Sequence, residues 1–382
     1  MKETRFKDTE VGKIPVDWDV KALGDVLSVG NGRDYKHLSF GDIPVYGTGG
    51  YMTSVSDYLH DGETVCIGRK GTIDEPQYHT GKIWTVDTLF YTYGFQNVCV
   101  KYLFYLFNKI DWNKYNEATG VPSLTSKNIL SIIAQFPKLS EQIRIAATLS
   151  NIDALISELG KLIEKKQAIK QGAMQQLLTG KKRLKGFSEP WIEKKLGEIG
   201  VLTKQSVNPQ MFPNTLFSEY SMPAFDNGQS PDFKYGNEMF SNRTVIDGET
   251  LLYNKLNVRQ KRIWFVKECG PESICSAEFL AYKSNNINLD LLKYILSTNR
   301  VTKDFIDMSK GTSNSQKRIQ PADFLDYSIC YPKSGNEQKA IASVLSSMDE
   351  EISSLEAKRE KYTSIKQGMM QQLLTGKIRL TD

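Results

Sequence analysis

The longest hydrophobic pattern in the chain occurs twice, as a stripe of apolar residues separated alternately by four and three positions. The first stripe, within residues 141–179, consists of Ile145, Leu149, Ile152, Ile156, Leu159 and Ile163. The second, within residues 337–375, consists of Ile341, Leu345, Met348, Ile352 and Leu355. This is the spacing of a coiled-coil seam, and it predicts two long helices. Gly180 and Gly376 stand where a C-terminal helix cap is expected.

Each predicted helix needs a partner, because its apolar stripe would otherwise face water. One arrangement packs each helix on its own globular domain. The sequence favours the other arrangement, in which the two helices pack against each other. Because a globular segment separates the helices in the chain, an antiparallel pair would relate the two halves by a pseudo-two-fold axis.

The two predicted helices end in almost the same sequence. Residues 169–184 and 365–380 differ only at Ala173/Met369 and Lys182/Ile378. Over the longer 44-residue segments that end at these stretches, 26 aligned residues are identical. Self-similarity at a fixed distance indicates a duplicated structural unit. The chain is therefore two copies of one unit, each with a globular segment and a long helix.

The globular segments alternate short β-like runs with glycine-rich turns. In the first segment we predict a strand–turn–strand at 43–51, strands at 64–68, 82–86 and 89–93, and helices at 98–107 and 127–133. Residues 191–334 repeat this plan in a different sequence, in which Asp-Gly-Glu-Thr at 61–64 recurs at 247–250. A tryptophan followed by Leu-Gly and an acidic residue recurs at the start of each segment, where we expect it to dock the domain.

These patterns predict an α+β fold. It has two globular α/β domains separated by two long helices that pack as an antiparallel coiled coil. The predicted boundaries are 1–139 for the first globular domain, 140–184 for the central helical repeat, 185–335 for the second globular domain and 336–382 for the C-terminal repeat.

Composition adds modest constraints. The net charge of +5 and the isoelectric point near 8.7 permit a nucleic-acid partner without requiring one. The five cysteines include no Cys-x-x-Cys, and the chain shows no signal peptide, so we expect reduced thiols and a cytoplasmic location. No apolar run reaches the length of a membrane span, about 18 residues.

Sequence motifs give no support for catalysis. The turn at residues 47–50, Gly-Thr-Gly-Gly, lacks the Gly-Lys-Ser/Thr of a phosphate-binding loop, and no amino-methyltransferase or helicase motif is found. His60, Cys66 and His79 match no zinc spacing, so we predict ordinary core or surface roles for them and no metal site. A catalytic triad could still form in space, although no local motif indicates one.

Basic residues on loops indicate a DNA surface, because their charges can neutralise phosphates and arginine can read guanine. Any one of them is more simply a solvated surface residue, but their placement on loops of both halves favours DNA as a set. The candidate DNA-binding residues of the first half are Arg33, Lys36, Arg69, Lys70, Thr72 and Lys127. Those of the second half are Arg243, Lys255, Arg259, Lys261, Arg262, Lys310, Lys317 and Arg318.

Polar residues repeat along the helices as faithfully as the apolar ones do. Packing of the seam alone does not require this, so two matched surfaces suggest two copies of one protein partner. A recent duplication confined to the helices is the alternative. The candidate partner-binding residues are Lys170, Gln171, Gln175, Gln176, Lys181 and Arg183, repeated as Lys366, Gln367, Gln371, Gln372, Lys377 and Arg379.

The whole chain resembles the specificity subunits of type I restriction–modification systems. The resemblance lies in the repeats at 169–184 and 365–380, in Gly-Lys-Ile-Pro-x-Asp-Trp at 12–18, and in the runs at 67–73 and 84–90. The second half departs from the pattern, since Tyr-Asn-Lys-Leu at 253–256 replaces the Gly-Arg-Lys-Gly loop.

The resemblance implies a function. Two target-recognition domains would each read one half of a split, asymmetric site on double-stranded DNA. The helices would hold these domains apart and bind two methyltransferase subunits, which in turn recruit two restriction subunits. Methyltransferase and endonuclease activities would reside in these partners, with S-adenosylmethionine, ATP and Mg²⁺, and this chain would bind no cofactor. Two alternatives stay open: a fragment of a bifunctional restriction–methylation enzyme, and a coiled-coil adaptor without a DNA role.

Overall fold

The structure is a computed structural model that describes residues 5–311 and 316–381. The chain forms two compact units. The first unit is built from the chain up to Lys161 together with the chain from Glu356 onward, and the second unit is built from Leu162–Leu355. Each unit therefore contains one globular segment and a stretch of both long helices.

The globular segment of the first unit is mainly β-structure. Its strands are β1 (Phe6–Thr9), β2 (Gly12–Pro15), β3 (Asp19–Ala22), β4 (Ser28–Asn31), β5 (Ile43–Gly47), β6 (Gly50–Val55), β7 (His60–Asp61), β8 (Thr64–Gly68), β9 (Gln77–His79), β10 (Lys82–Thr85), β11 (Leu89–Tyr93) and β12 (Ile133–Phe136). Its helices are α1 (Val100–Phe107), α2 (Ser126–Ser131) and the start of α3 (Leu139–Leu177), with short 3-10 turns at Leu23–Asp25 and Trp112–Tyr115.

The second unit follows with a similar series. Its strands are β13 (Trp191–Lys195), β14 (Val201–Leu202), β15 (Ser206–Val207), β16 (Leu216–Tyr220), β17 (Asp232–Tyr235), β18 (Arg243–Val245), β19 (Thr250–Asn254), β20 (Ile263–Val266), β21 (Ser273–Ser276), β22 (Phe279–Lys283) and β23 (Ser328–Pro332). Its helices are α4 (Leu196–Ile199), α5 (Met222–Asp226), α6 (Leu289–Leu296), α7 (Asn299–Met308), α8 (Pro321–Asp326) and the start of α9 (Gly335–Leu373), with 3-10 turns at Pro209–Met211, Gly236–Glu238 and Val258–Gln260.

Two sheets recur in both units with the same strand order. The four-stranded sheet β4-β11-β8-β9 of the first unit matches β14-β22-β19-β20 of the second, and the pair β3/β12 matches β13/β23. The other large sheets differ, since β6-β5-β10-β7 has four strands and β15-β18-β21-β16-β17 has five. The predicted α+β fold and the repeated plan are confirmed, as are the strands predicted in the first segment.

The tryptophan motif anchors each domain as predicted. Trp18 and Leu23 are fully buried in the first unit, and Leu196 is fully buried in the second. The glycine that follows each leucine lies against helix α2 or α8. A Cβ atom on Gly24 would lie 3.2 Å from the Leu130 carbonyl oxygen, and one on Gly197 would lie 3.2 Å from the Leu325 carbonyl oxygen. The motif therefore fixes the contact between the turn that follows β3 or β13 and the last short helix of that domain.

The two long helices are confirmed, each beginning two residues earlier than the seam predicts. Gly180 and Gly376 both have φ of +68°, the left-handed conformation of a helix cap. Both predicted ways of burying the stripe occur. At the start of α3, Ile145 and Leu149 belong to the core of their own globular domain. Further along, in each unit, segments of α3 and α9 run antiparallel and are joined by ion pairs such as Lys366–Asp153 at 2.6 Å and Lys166–Glu351 at 2.7 Å.

Candidate nucleic-acid interface

In the first unit, the predicted basic loop after β8 is held between two other loops. The Arg69 amide donates to the Thr88 carbonyl at 2.7 Å, in the turn between β10 and β11. The Leu124 amide donates to the Arg69 carbonyl at 2.9 Å, and this bond ties the loop to the segment before α2. The backbone is thus fixed on both sides, while the Lys70 side chain is exposed. The Arg69 guanidinium lies 5.9 Å from the centre of the Phe90 ring.

Other predicted cations of this half lie around the same turn. The Arg33 amide donates to the Thr85 carbonyl at 2.8 Å, and Trp84 Nε1 donates to the Arg33 carbonyl at 2.8 Å. Lys127 lies in the first turn of α2, just after the segment that binds Arg69. The structure therefore gathers the basic loops of the first half at the ends of β8, β10 and α2. The exposed candidates there are Arg33, Lys36, Lys70, Thr72 and Lys127.

The second unit builds the same loop with a different sequence. The Lys255 amide donates to the Glu278 carbonyl at 2.9 Å, and the Ile319 amide donates to the Lys255 carbonyl at 3.0 Å. These bonds match those of Arg69 with Thr88 and Leu124 in the first unit. The departure from the family pattern at 253–256 therefore changes the side chains and keeps the backbone frame. Lys255 is the structural counterpart of Arg69.

Side chains at matched positions of this frame differ in charge and size. Lys70 faces Ser123 in an isolated β-bridge, and at the same place in the second unit Leu256 faces Arg318. Glu278 occupies the place of Thr88. Chemically different side chains therefore stand on the same backbone frame in the two units.

One predicted DNA contact is better explained by the sheet. Arg243 Nε donates to Glu219 Oε1 at 2.6 Å, and its Nη1 donates to the Ser241 carbonyl at 2.9 Å. Although burial alone would raise the pKa of Glu219, Lys234 and Arg243 hold it below its usual range. An unpaired charge at this buried site would be costly, so Arg243 has a structural role in this sheet.

Some of the other candidate cations of the second unit have a hydrogen-bonding partner for their side chain, and others have none among the described residues. Arg262 donates from Nε and Nη2 to the Asp226 carboxylate at 2.8 and 2.7 Å. Lys261 donates to Asn299 Oδ1 at 2.6 Å. Arg318 is held by Glu278. Part of the predicted loop between Lys310 and Lys317, residues 312–315, lies outside the described residues. Within the described chain, the candidates without a side-chain partner are Lys255, Arg259, Lys310 and Lys317.

The repeated basic residues of the helices have internal partners that the sequence did not reveal. Arg379 Nε and Nη2 each donate to Glu141 at 2.8 Å, and its Nη1 and Nη2 grip Asp17 at 2.8 and 2.7 Å. The Arg379 guanidinium beside Asp17 holds the pKa of that carboxyl below its usual range. In the second unit, Arg183 grips Glu337 at 2.6 and 2.7 Å.

The repeated lysines also pair with carboxylates of this chain. Lys366 pairs with Asp153, which also accepts a hydrogen bond from the Tyr105 hydroxyl at 2.7 Å. Its repeat Lys170 pairs with Asp349, which accepts from the Tyr294 hydroxyl at 2.7 Å. The inference that packing does not require the repeated polar residues is therefore wrong for these two lysines and two arginines. The exposed members of the predicted surface, called the glutamine surface below, are Gln171, Gln175, Gln176 and Lys181 in the second unit, and Gln367, Gln371 and Lys377, with half-buried Gln372, in the first.

Comparison with known proteins shows which proteins this chain resembles. The model of the type I restriction modification DNA specificity domain matches residues 15–171. The MjaVIII specificity subunit of Methanocaldococcus jannaschii is 26% identical over 438 aligned residues that span 100% of this chain and 97% of the relative. Over its whole length, the chain is similar to specificity subunits of type I restriction enzymes.

Two solved structures have a fold similar to that of this chain. The specificity (S) subunit of a type I restriction–modification system from M. genitalium has a TM-score of 0.67 at 12% identity, covering 93% of this chain and 96% of that one. A chain from a study of complex assembly in the type I system has a TM-score of 0.53 at 15% identity, covering 96% and 99%. The chain thus shares a fold with proteins whose sequences have diverged widely from its own.

One histidine and one cysteine of the first unit illustrate how such side chains pack in this chain. His79 stacks on Tyr46 with ring centres 3.8 Å apart, and burial lowers its pKa to about 4. Cys66 is fully buried, which raises the pKa of its thiol to about 12. Over residues 5–311 and 316–381, no group of three His, Cys, Asp or Glu side chains is placed to hold a metal ion. No helix in the same ranges is long and apolar enough to cross a bilayer.

Sequence reasoning missed the acidic residues that pair with the cations of this chain. Glu141, Glu337 and Glu278 were not candidates, because a search for basic loops does not select carboxylates. A signal existed for two of them. Glu141 and Glu337 are identical members of the helical repeat, and their side chains are only 4% and 0% exposed. A buried carboxylate needs a paired cation, so each could have been sought as the partner of a repeated arginine.

Proposed function

We propose that this chain is a DNA sequence-specificity subunit that recognises a bipartite asymmetric target, with one half-site for each globular domain. In the same proposal it scaffolds two methyltransferase subunits and, through them, restriction subunits. The observation that supports this proposal most directly is the matched loop frame, the pair of loops that the same backbone hydrogen bonds hold in both units. On this frame Arg69 and Lys255 hold equivalent positions among different neighbouring side chains.

Support for DNA binding comes from the loops. Cations fixed at the backbone and free at the side chain can bind phosphates and base edges, where affinity and sequence selection arise. In the first unit these are Arg33, Lys70 and Lys127, and in the second they are Lys255 and Lys317. The α2 and α8 helices start at the same frame, so their first turns lie beside the proposed contacts.

Support for an asymmetric target comes from the differences between the units. A frame with identical side chains would read the same bases twice and would favour a symmetric site. Here Ser123 is matched by Arg318 and Thr88 by Glu278, so hydrogen-bond donors and acceptors change at corresponding places. Different donor and acceptor patterns select different base pairs in the major groove.

Support for two identical partners comes from the glutamine surface, which repeats in each unit. Its side chains are exposed, apart from half-buried Gln372, and within the part of the chain that the structure describes they make no ion pair of the kind found for Arg183 and Arg379. Repetition of a polar surface on each of two units suits two copies of one protein. We assign methyl transfer and cleavage to the partners, where S-adenosylmethionine, ATP and Mg²⁺ would bind.

Alanine at Arg69 or Lys255 should weaken DNA binding by about tenfold, because each change removes a cation from one half-site. In the assembled complex, Arg69→Ala should weaken selection of one half-site and Lys255→Ala selection of the other. In a plot of the logarithm of the affinity against the logarithm of the salt concentration, the slope should decrease in magnitude by about one for each variant. Binding to a labelled duplex measured over a salt series tests this.

Lys161→Ala is the matched control, since Lys161 is an exposed lysine of α3 that pairs with Glu158 at 3.0 Å. Unchanged affinity in both loop variants would remove these loops from the DNA footprint. Loss of the same half-site by both variants would contradict the assignment of one half-site to each unit.

Alanine at both Gln175 and Gln176 should remove one methyltransferase subunit from the complex, and alanine at both Gln371 and Gln372 should remove the other. Each double substitution deletes side-chain hydrogen-bonding groups from one copy of the glutamine surface. Native mass spectrometry of the co-purified complex counts the subunits. Glu158→Ala, an exposed change on the same helix, should leave two. A full complement of partners in a variant carrying all four alanines would exclude this surface.

A further inference from the structure

One arginine of the second unit is held along one edge only. Arg318 Nε donates to Glu278 Oε2 at 3.1 Å, and its Nη2 donates to Glu278 Oε1 at 3.1 Å. This side-on grip uses the Nε edge of the guanidinium. Among the described residues, the end of the group, formed by Nη1 and the outer hydrogen of Nη2, has a single long bond of 3.3 Å, from Nη1 to the Gln316 carbonyl. The Arg318 side chain is 37% exposed, so this end can be reached by a ligand.

Both members of the pair are fixed by the backbone. The Arg318 amide donates to the Lys310 carbonyl at 2.9 Å, and the Lys310 amide donates to the Arg318 carbonyl at 3.0 Å. Glu278 accepts from the Lys255 amide through its carbonyl. The pair therefore stands on the matched loop frame, with the free cations Lys255 and Lys317 next to it.

Other arginines that are gripped by carboxylates lack one of these features. Arg379 has both Nη atoms on Asp17 as well as Nε on Glu141, so its edges are occupied. Arg243 has Nη1 on Ser241 and Nε on Glu219. Arg262 has the same side-on grip, by Asp226, but lies outside the pair of loops that the two units share.

We propose that Arg318 reads a guanine in the half-site of the second unit and that Glu278 is its positioning residue. The proposal rests on the DNA-reading function proposed above. The open end of the guanidinium presents two parallel N–H donors, which match the O6 and N7 acceptors of guanine in the major groove. Lys255 and Lys317 contact the flanking phosphates, which fixes the register of the loop on the duplex.

The carboxylate makes this arginine selective. A free arginine loses side-chain entropy when it is ordered against a base, whereas Arg318 is already ordered by two charge-assisted bonds. Glu278 also occupies the Nε edge, so a phosphate cannot easily take the side-on position. In the first unit Thr88 and Ser123 stand at these places, so that unit has no such reader there.

Selection of binding sites from a randomised duplex library by the assembled complex tests the assignment. For the wild type, we expect a guanine at one position of the half-site that Lys255→Ala weakens. Arg318→Ala should reduce the preference for that guanine by about tenfold and leave the other half-site unchanged. Arg318→Lys should keep most of the affinity and lose the preference, because lysine is a point charge without the bidentate fork.

Glu278→Gln tests the positioning role separately. It keeps Arg318 and its charge, and it should reduce the guanine preference severalfold with little loss of total affinity. Asp226→Asn is the matched control, since it loosens the same kind of grip on Arg262, and it should leave the guanine preference intact. Thermal unfolding of each variant shows whether the fold is kept.

Two results would overturn the assignment. One is an unchanged guanine preference in folded Arg318→Ala, and the other is a uniform loss over all positions, which would make Arg318 a phosphate contact. In both cases a bipartite site would still be selected, so the proposed function would survive. Selection of no sequence by the wild-type complex would instead remove the proposed function and this inference together.

Discussion

Replacing Arg379 by alanine is expected to lower the free energy of unfolding of the first unit by roughly 3 kcal/mol. The Glu141 side chain is only 4% exposed, and Arg379 supplies two of its hydrogen bonds. Trp18 Nε1 and the Leu380 amide would remain as donors, at 3.2 Å each, but neither carries a charge. The variant would therefore leave a buried carboxylate without its cation.

Amide hydrogen exchange of the full chain measures this, because it reports the stability of the first unit separately. Lys377→Ala is the matched control, an exposed change two residues away, and it should have almost no effect. The double variant Glu141→Gln, Arg379→Ala should recover part of the loss, since it removes the unpaired charge. Unchanged protection in Arg379→Ala would show that the C-terminal repeat does not stabilise the first unit.

Inserting four residues into α3 after Ile163, with a matching four in α9 after Glu356, should lengthen the gap between half-sites by one or two base pairs. Four helical residues add about 6 Å, and one base pair spans about 3.4 Å. Both helices must be changed. Within each unit the segments of α3 and α9 run antiparallel, joined by Lys366–Asp153 in the first unit and by Lys170–Asp349 in the second. An insertion in α3 alone would therefore shift the two helices against each other.

Mapping the methylated sites of the complex measures the gap directly. The two half-sequences should stay the same, because no loop of either globular domain is altered. Alanine substitution of Glu158 and Lys161, without a change in length, should leave both the gap and the half-sequences as they are. New half-sequences after the insertion would contradict the separation of spacing from base reading.

The large elements of this fold could be predicted because their causes are local. A stripe with four-three spacing can bury its apolar face only as a long helix, and the glycines at 180 and 376 end both helices as expected. The buried strands β8 and β19 also follow from short apolar runs between turns. Trp18 and Leu23 were predicted to dock the first domain because large apolar residues at a domain edge need a core.

The partners of the repeated charges could not be predicted, because they lie far apart in the chain. Arg379 binds Glu141 over 238 positions, and Arg183 binds Glu337 over 154. Each arginine takes the glutamate of the other repeat and not of its own. A repeat shows that two residues are equivalent, but it does not show which copy binds which. The arginines were therefore assigned to a protein partner, and the structure gives them an internal role.

The equivalence of Arg69 and Lys255 was hidden for another reason. Their common frame consists of backbone hydrogen bonds, such as those from the Arg69 amide to the Thr88 carbonyl and from the Lys255 amide to the Glu278 carbonyl. Residues with most kinds of side chain can form such bonds, because the donors and acceptors belong to the backbone. The sequence was free to change at these loops while the geometry stayed. The same freedom is what the proposed function needs, since it lets each unit read different bases on one scaffold.

Co-purification of the chain with a methyltransferase subunit, followed by genome-wide mapping of the methylated sites, tests the central claim most directly. The claim predicts one asymmetric sequence made of two short half-sites with a gap of fixed length between them. It also predicts that Arg69→Ala and Lys255→Ala relax different half-sites. A continuous palindromic site, or the absence of any methyltransferase partner, would contradict it.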